Sequence, residues 1–460
     1  MTGNAVGGPP VAPLKVELRP VSGLKPARRN ARRHSERQLE QIAGSIRKFG
    51  FLNPVLVDAE GRIVAGHGRV EAARGIGLTE VPVLCIAHLS EAELRAYALA
   101  DNRIAENAAW DAEDLRAEID ELISLELDFD IELTGFATGE IEVILDGRTA
   151  KDIAADSLPP VDRRLTPGVE PGDLWVLGEH RILCGSALER ASYETVMGED
   201  RARMVFSDPP YNVPVDGHVG GLGKVHHEEF AMASGEMSQE EFTAFLRTVF
   251  EHEAAFSIDG AIHYQCMDWR HMREMLDAGE AAYDRLVNMC VWSKDNGGMG
   301  SFYRSRHELV FVWKAGAAPY LNTVELGRNG RYRTNVWEYR GATKTGGKAE
   351  LAMHPTVKPA AMIIDAIKDT SKRGEIVLDP FGGSGSTLIA AEKAKRRARL
   401  IEIEPKYCAV TIRRWQELTG RKALLVSTGE AFADVQARRQ RALDELVEAA
   451  LNETRAGEAA

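Results

Sequence analysis

The stretch "GEIVLDPFGGSGSTLIAAEKAKRRARLIEIEPKY", residues 374–407, decides the fold. Ile376, Val377 and Leu378 form the short apolar run expected of a strand covered on both faces. A glycine-rich turn follows, then "STLIAAEKA" with helical spacing, then a second strand, "ARLIEIE", carrying Glu402 near its end. Strand, glycine turn, helix and strand make the layout of a nucleoside-binding βαβ unit. The glycines let backbone approach a ligand, and an acid about twenty residues past the turn accepts hydrogen bonds from ribose hydroxyls. The spacing departs from the dinucleotide GxGxxG form, and no Walker lysine follows the second glycine. Taken alone, the stretch also fits a tight structural turn beside an exposed glutamate.

A second stretch, "SDPPYNV" (residues 207–213), follows the apolar run Met204-Val205-Phe206. Each proline fixes its own φ, lacks an N–H and restricts the residue before it. Asp208, Pro209, Pro210 and Tyr211 are therefore expected on a stiff loop at a strand end, with a carboxylate, backbone carbonyls and an aromatic ring in one arrangement. A surface turn is the plainer reading of Asp-Pro-Pro seen in isolation.

The 460 residues suit more than one domain, and 44% hydrophobic with 27% charged residues is ordinary globular composition. No apolar run is long enough to cross a bilayer, so no membrane partner is expected. The opening "MTGNAVGGPPVAPLK" lacks the order of a secretory signal. Five scattered cysteines without a CxxC pair suit a reducing cytoplasm. The net charge of −12 argues against a nucleic-acid partner, yet phosphate binding needs only a local basic face. Two stretches supply one: Lys25, Arg28, Arg29, Arg32, Arg33 and Arg37, and later Arg328, Arg331, Arg333, Arg340, Lys344 and Lys348. His218, His226 and His227 lack a carboxylate or cysteine at familiar spacing, and no metal site is expected.

Residues 14–148 read as a small α/β unit. It has a helix over "RQLEQIAGSIRKFG", a hairpin over "NPVLVDAEGRIVAG", a short helix, the strand "VPVLCI" and then acidic amphipathic helices. Residues 149–168, polar and rich in Pro and Asp, read as a linker. A second α/β unit spans 169–423, and 424–460 reads as a helical tail.

"DPPY", then "HPTVKP", "LDPFGGSGST" and "IEIEPKY" in that order resemble the amino-group DNA methyltransferases, in the permuted arrangement of their beta class. The resemblance covers roughly residues 169–421. It implies a Rossmann-like S-adenosylmethionine-dependent methyltransferase domain acting on double-stranded DNA, as monomer or homodimer. Adenine N6 is the expected target, with cytosine N4, or RNA, as the alternative. By the same resemblance, Asp208 and the Pro209 carbonyl would accept the two amine hydrogens, and Tyr211 would stack on a base rotated out of the duplex. Asp379, Phe381, Gly383, Gly385 and Thr387 would shape the cofactor pocket and Glu402 would hold the ribose. His354, Thr356 and Lys358 would approach the methionine moiety, Lys358 pairing with its carboxylate. One departure is Ser186 in Cys184-Gly185-Ser186, where the family often carries an aspartate. Arg331, Arg333 and Arg340, in a basic segment between the motif halves, are the candidate DNA-binding residues.

"NPVLVDAEGRIVAGHGRVEAARGIGLTEVPVLCI" resembles the ParB/sulfiredoxin-like domain, with Gly66, His67 and Arg69 at its phosphate-loop position. That implies either nucleotide binding at those residues or a DNA-facing or purely structural module. His67 stands where a sulfiredoxin needs cysteine. A non-catalytic, partition-like DNA-binding protein is the rival reading for the whole chain.

Overall fold

The computed structural model describes residues 15–29, 32, 34–106, 110–125, 129–145, 168–213, 235–294, 302–324, 333–339 and 358–458. The chain divides into two compact units, Met1–Gly147 and Arg148–Ala460.

In the first unit, strands β1 (Val16–Pro20), β2 (Val55–Val57), β3 (Ile63–Ala65) and β4 (Glu80–Cys85) form a sheet of order β1-β4-β2-β3. The expected hairpin is β2–β3, with Gly61 at φ 75° between its strands. The first helix, Glu36–Phe49, starts where the Ser35 side chain accepts the Gln38 N–H and stops at Gly50, whose φ of 85° suits glycine. Its neighbour, His67–Gly75, opens from Gly66 at φ 103°. Val55, Val57, Val70, Val81 and Val83 are buried together between sheet and helices. Helices Glu91–Glu106, Ala112–Ser124 and Thr138–Leu145 follow.

The second unit holds β5 (Leu174–Leu177), β6 (His180–Cys184), β7 (Ala202–Ser207), β8 (Ser257–Met267), β9 (Arg285–Ser293), β10 (His307–Ala315), β11 (Val336–Glu338), β12 (Ile376–Asp379), β13 (Arg397–Glu402) and β14 (Leu424–Leu425). They form one sheet of order β11-β9-β10-β8-β7-β12-β13-β6-β5-β14. The central run β8-β7-β12-β13-β6 is parallel, and β10 is antiparallel to both β8 and β9. Successive side chains feed opposite faces, as a strand requires. Met204, Phe206, Val377 and Leu400 join a core with helices Ala360–Thr370, Ser386–Lys393 and Pro405–Thr419. Val205, Leu378 and Ile401 join another with Tyr193 and Val196 of helix Arg190–Met197. This is the expected Rossmann-like α/β architecture. Phe432 and Val435, in the last helix Phe432–Glu458, are buried in the first of these cores, and β14 pairs with β5. The start of the segment read as a tail is therefore part of the folded unit, because it supplies a sheet edge and three core side chains, Leu425, Phe432 and Val435.

Helix Met272–Ala282 packs on β10 through Gly279, where an added Cβ would lie 2.2 Å from Trp313 Cζ2. Trp313 is fully buried and has nowhere to retreat. Gly279→Ala should therefore lower the unfolding free energy by about 1–3 kcal/mol despite its better helix propensity, read as a lower urea midpoint at unchanged m.

Candidate active site

Strands β7 and β12 are parallel neighbours, with Val205 beside Leu378. The chain leaves β7 toward β8 and leaves β12 toward β13, in opposite directions along the sheet. That divergence opens a crevice at the carboxyl ends of the two strands, where ligands of open α/β sheets bind. The acidic loop starts at the end of β7 and the glycine turn at the end of β12, so both stretches singled out in the sequence border this crevice. Tyr211 and Phe381, one from each loop, pack against the same apolar cluster.

On the β12 side, Asp379 accepts the Phe381 N–H at 2.9 Å and bonds the Thr387 hydroxyl. Gly385, at φ 82°, leads into helix Ser386–Lys393 and lies so close to Thr411 that a Cβ would fall 2.6 Å from its Cγ2. The Glu402 carboxylate accepts the N–H of Gly383 at 2.7 Å and of Glu404 at 2.8 Å, which ties the end of β13 to the turn. Burial pushes Asp379 up to about 7, with the Thr387 and Phe381 bonds opposing it. Burial likewise pushes Glu402 up to about 7, against the pull of its backbone donors. Ser186 is a local cap whose Oγ accepts the Leu188 N–H at 3.2 Å.

On the β7 side, the Tyr211 hydroxyl donates to Asp208 Oδ1 at 2.7 Å, and Lys358 Nζ donates to Asp208 Oδ2 at 2.7 Å. Lys358 Nζ also lies 2.9 Å from Glu308 Oε2 and 3.1 Å from the Tyr211 oxygen. Glu308, near the start of β10, takes Lys294 as a second ammonium partner. Burial raises Asp208, which Lys358 opposes and the Glu308 charge reinforces. Burial would raise Glu308 too, but the two ammoniums outweigh it and bring it to about 2. Lys358 is lifted above the ordinary lysine value, the two carboxylates outweighing its own burial. Pro209 is buried and Pro210 half-buried, which keeps this loop against the sheet. Asn212, at φ 52°, binds the backbone of Gly235 and Met237 through its amide and so ties the end of the acidic loop to the start of the next described segment.

The structure brings Asp208, Pro209, Pro210, Tyr211, Asp379, Phe381, Gly383, Gly385, Thr387 and Glu402 to one end of the sheet. The Lys358 ammonium lies between Asp208 and Glu308, two anions that a buried cation needs. Arg333 departs from expectation. Its guanidinium pairs with Asp365 at 3.2 Å and Asp369 at 2.9 Å and bonds the Tyr339 hydroxyl, so it serves an internal network rather than a DNA face. Arg331, Arg340, His354 and Thr356, and the histidines at 218, 226 and 227, lie outside the described residues. Sequence reasoning missed Glu308 and Lys294. The available signal was a lone acid heading the otherwise apolar run "LVFVW".

In the first unit, Gly66, His67 and Arg69 sit at the start of helix His67–Gly75, beside a cavity also lined by Arg28, Arg29 and Arg62. His67 Nε2 accepts the Ala27 N–H at 3.3 Å. The Arg69 Nε is buried without a partner, and Nη2 reaches only the Pro54 carbonyl at 3.4 Å. No helix among the described residues is long and apolar enough to cross a membrane.

The DNA methylase family matches residues 202–413, the ParB N-terminal domain residues 14–103, and the ParB-methyltransferase helix-turn-helix domain residues 113–167. The last match includes 149–167, which composition alone assigns to a linker. Type II methyltransferase M2.MboI of Moraxella bovis is 25% identical over 236 residues, covering 47% of this chain and 81% of its own. The ParB-like nuclease domain-containing protein YnaK of Escherichia coli K12 is 46% identical over 78 residues, 17% of this chain and 90% of its own. The crystal structure of the M1.HpyAVI–SAM complex, at 18% identity, covers 51% of this chain and 97% of that one with a TM-score of 0.38. Residues 202–413 thus form a domain of the N6/N4 DNA methylase family, and a ParB N-terminal domain lies ahead of it at residues 14–103. The methyl donor of the methylase domain is S-adenosylmethionine.

Carboxyl carbon-13 NMR should place the midpoints of Asp379 and Glu402 near pH 7 in the free protein, while Glu308 stays ionised down to about pH 2. What the two raised carboxyls contribute to stability is complete below their unfolded values, near pH 4, and is lost as pH rises through about 7. Glu308 runs the other way, losing its contribution as pH falls toward 2.

Proposed function

We propose that the second unit methylates the exocyclic N6 of adenine in double-stranded DNA. The observation that carries the reading is the emergence of the acidic loop and the glycine turn side by side from β7 and β12. An exocyclic amine is a weak nucleophile because its lone pair is conjugated with the ring. Asp208 and the Pro209 carbonyl accept its two hydrogens and turn the lone pair out of the ring plane, a gain from orientation and fixed charge. The Tyr211 ring stacks on the extruded base, since the amine is out of reach inside the duplex.

The donor supplies an electrophilic methyl group on a sulfonium. The residues present fit it: Glu402 keeps a lone pair for ribose hydroxyls beyond its backbone bonds from Gly383, Ile403 and Glu404, and the turn beside it is glycine-lined. Asp379, Phe381, Gly383, Gly385 and Thr387 frame that pocket. His354 and Thr356 are assigned to its methionine end, and Arg331 and Arg340 to the DNA.

Transfer of labelled methyl from S-adenosylmethionine to duplex DNA should fall at least about 100-fold in Asp208→Ala, with donor binding by calorimetry little changed. Mass spectrometry of the product nucleosides should show N6-methyldeoxyadenosine. N4-methyldeoxycytidine in its place would move the target to cytosine.

For the first unit we propose a phosphate-bearing ligand, a nucleoside triphosphate, at Gly66, His67 and Arg69. The buried, unpartnered Arg69 Nε at a helix start supports it, because such a donor gains most from an anion. Calorimetry with cytidine triphosphate should give binding that Arg69→Ala weakens on the order of 10–100-fold. Absence of binding to the wild-type chain would discard this site.

A further inference from the structure

Two carboxylates and two ammoniums meet at the acidic loop, and the transfer chemistry above uses only Asp208. Both Asp208 oxygens are occupied, Oδ1 by the Tyr211 hydroxyl and Oδ2 by Lys358. A target amine that donates a hydrogen to Oδ2 competes with the ammonium for that oxygen's lone pairs. Lys358 is 5% exposed and cannot escape into water, and a buried ammonium without an anion is strongly disfavoured. An alternative anion is already in contact: Glu308 Oε2 stands 2.9 Å from Nζ, nearly as close as Asp208 at 2.7 Å. Glu308 is itself buried and held by Lys294, so it stays in place while Lys358 shifts.

Resting on the methyltransferase reading, we propose that Glu308 is a positioning residue that receives Lys358 when the target amine docks and thereby frees Asp208 Oδ2 as an acceptor. The contacts form a two-position switch in which the ammonium is never unpaired. Without Glu308, Lys358 belongs wholly to Asp208 and competes with the substrate for it. The same arrangement assigns the proton released by the methylated nitrogen to Asp208. Burial and the Glu308 charge favour its protonated form, whereas Lys294 and Lys358 keep Glu308 ionised.

The test is a double-mutant cycle on the full chain with duplex DNA and S-adenosylmethionine. Glu308→Gln should lower kcat/KM for DNA on the order of 10–100-fold, with donor affinity by calorimetry within about twofold of wild type. The double variant Glu308→Gln/Lys358→Met should be no slower than Lys358→Met alone, because no ammonium remains to clamp Asp208. A merely structural Glu308 predicts losses that multiply. Multiplying losses, or wild-type kcat/KM in Glu308→Gln, would overturn the assignment. Should Glu308→Gln fail to fold, the double variant, which removes both buried charges, is compared with Lys358→Met alone. Equal rates support the switch and a further tenfold loss rejects it. The wild-type chain in the same assay reports separately on the transferase reading.

Discussion

The parallel pairing of β7 with β12 is the constraint on which everything else depends. Its register is fixed from both sides. Met204, Phe206 and Val377 fill one core while Val205 and Leu378 fill another, and a slip of one residue would turn each set to the wrong face. With that register held, the acidic loop and the glycine turn leave the sheet at one level. Neither loop has to find the other, because the sheet has already brought them together. The site's loops are therefore anchored directly on rigid strand ends.

A buried polar network stiffens the same end of the sheet from beneath. Ser207, the last residue of β7, stands opposite Gln265 of β8. Gln265 donates to the Tyr283 hydroxyl at 3.0 Å, and that hydroxyl donates to Glu253 of helix Gln239–Ala255 at 2.6 Å. Gln265 bonds Glu253 as well, and His263 reaches the Tyr283 oxygen at 3.2 Å. In a low dielectric such bonds reinforce one another and are costly to break. They lock strand and helix one residue behind Asp208, which lets that carboxylate be aimed rather than merely present.

What the sequence disclosed divides along the same physical line. The βαβ unit from Ile376 to Glu402 was legible because it is local: apolar runs, turn glycines and helix spacing all lie within thirty residues. Asp208 was legible because two prolines mark its loop. Glu308 was not, since a glutamate in a strand acquires meaning only when Lys294 and Lys358 arrive from distant segments. Arg333 is legible as a cation but not its partners, because an ion pair is decided by what else is buried nearby. The start of the C-terminal tail was misread for a related reason. Leu425, Phe432 and Val435 are too few and too widely spaced to announce that they complete a core.

The charge cluster also explains how an acid can wait in a buried site. An unpaired carboxylate at Asp208 would pay a desolvation penalty of several kcal/mol, and Lys358 offsets part of it. That protection alone would make the acid a poorer acceptor for a substrate hydrogen. Glu308 resolves the conflict by giving the ammonium a second anion of nearly equal distance, so that changing partners costs little. Lys294 completes the balance: with two carboxylates and two ammoniums the set is neutral, and it can exchange partners without any charge entering from water. The acid is thus shielded in the free protein and available in the complex, and the difference is one short movement of a lysine.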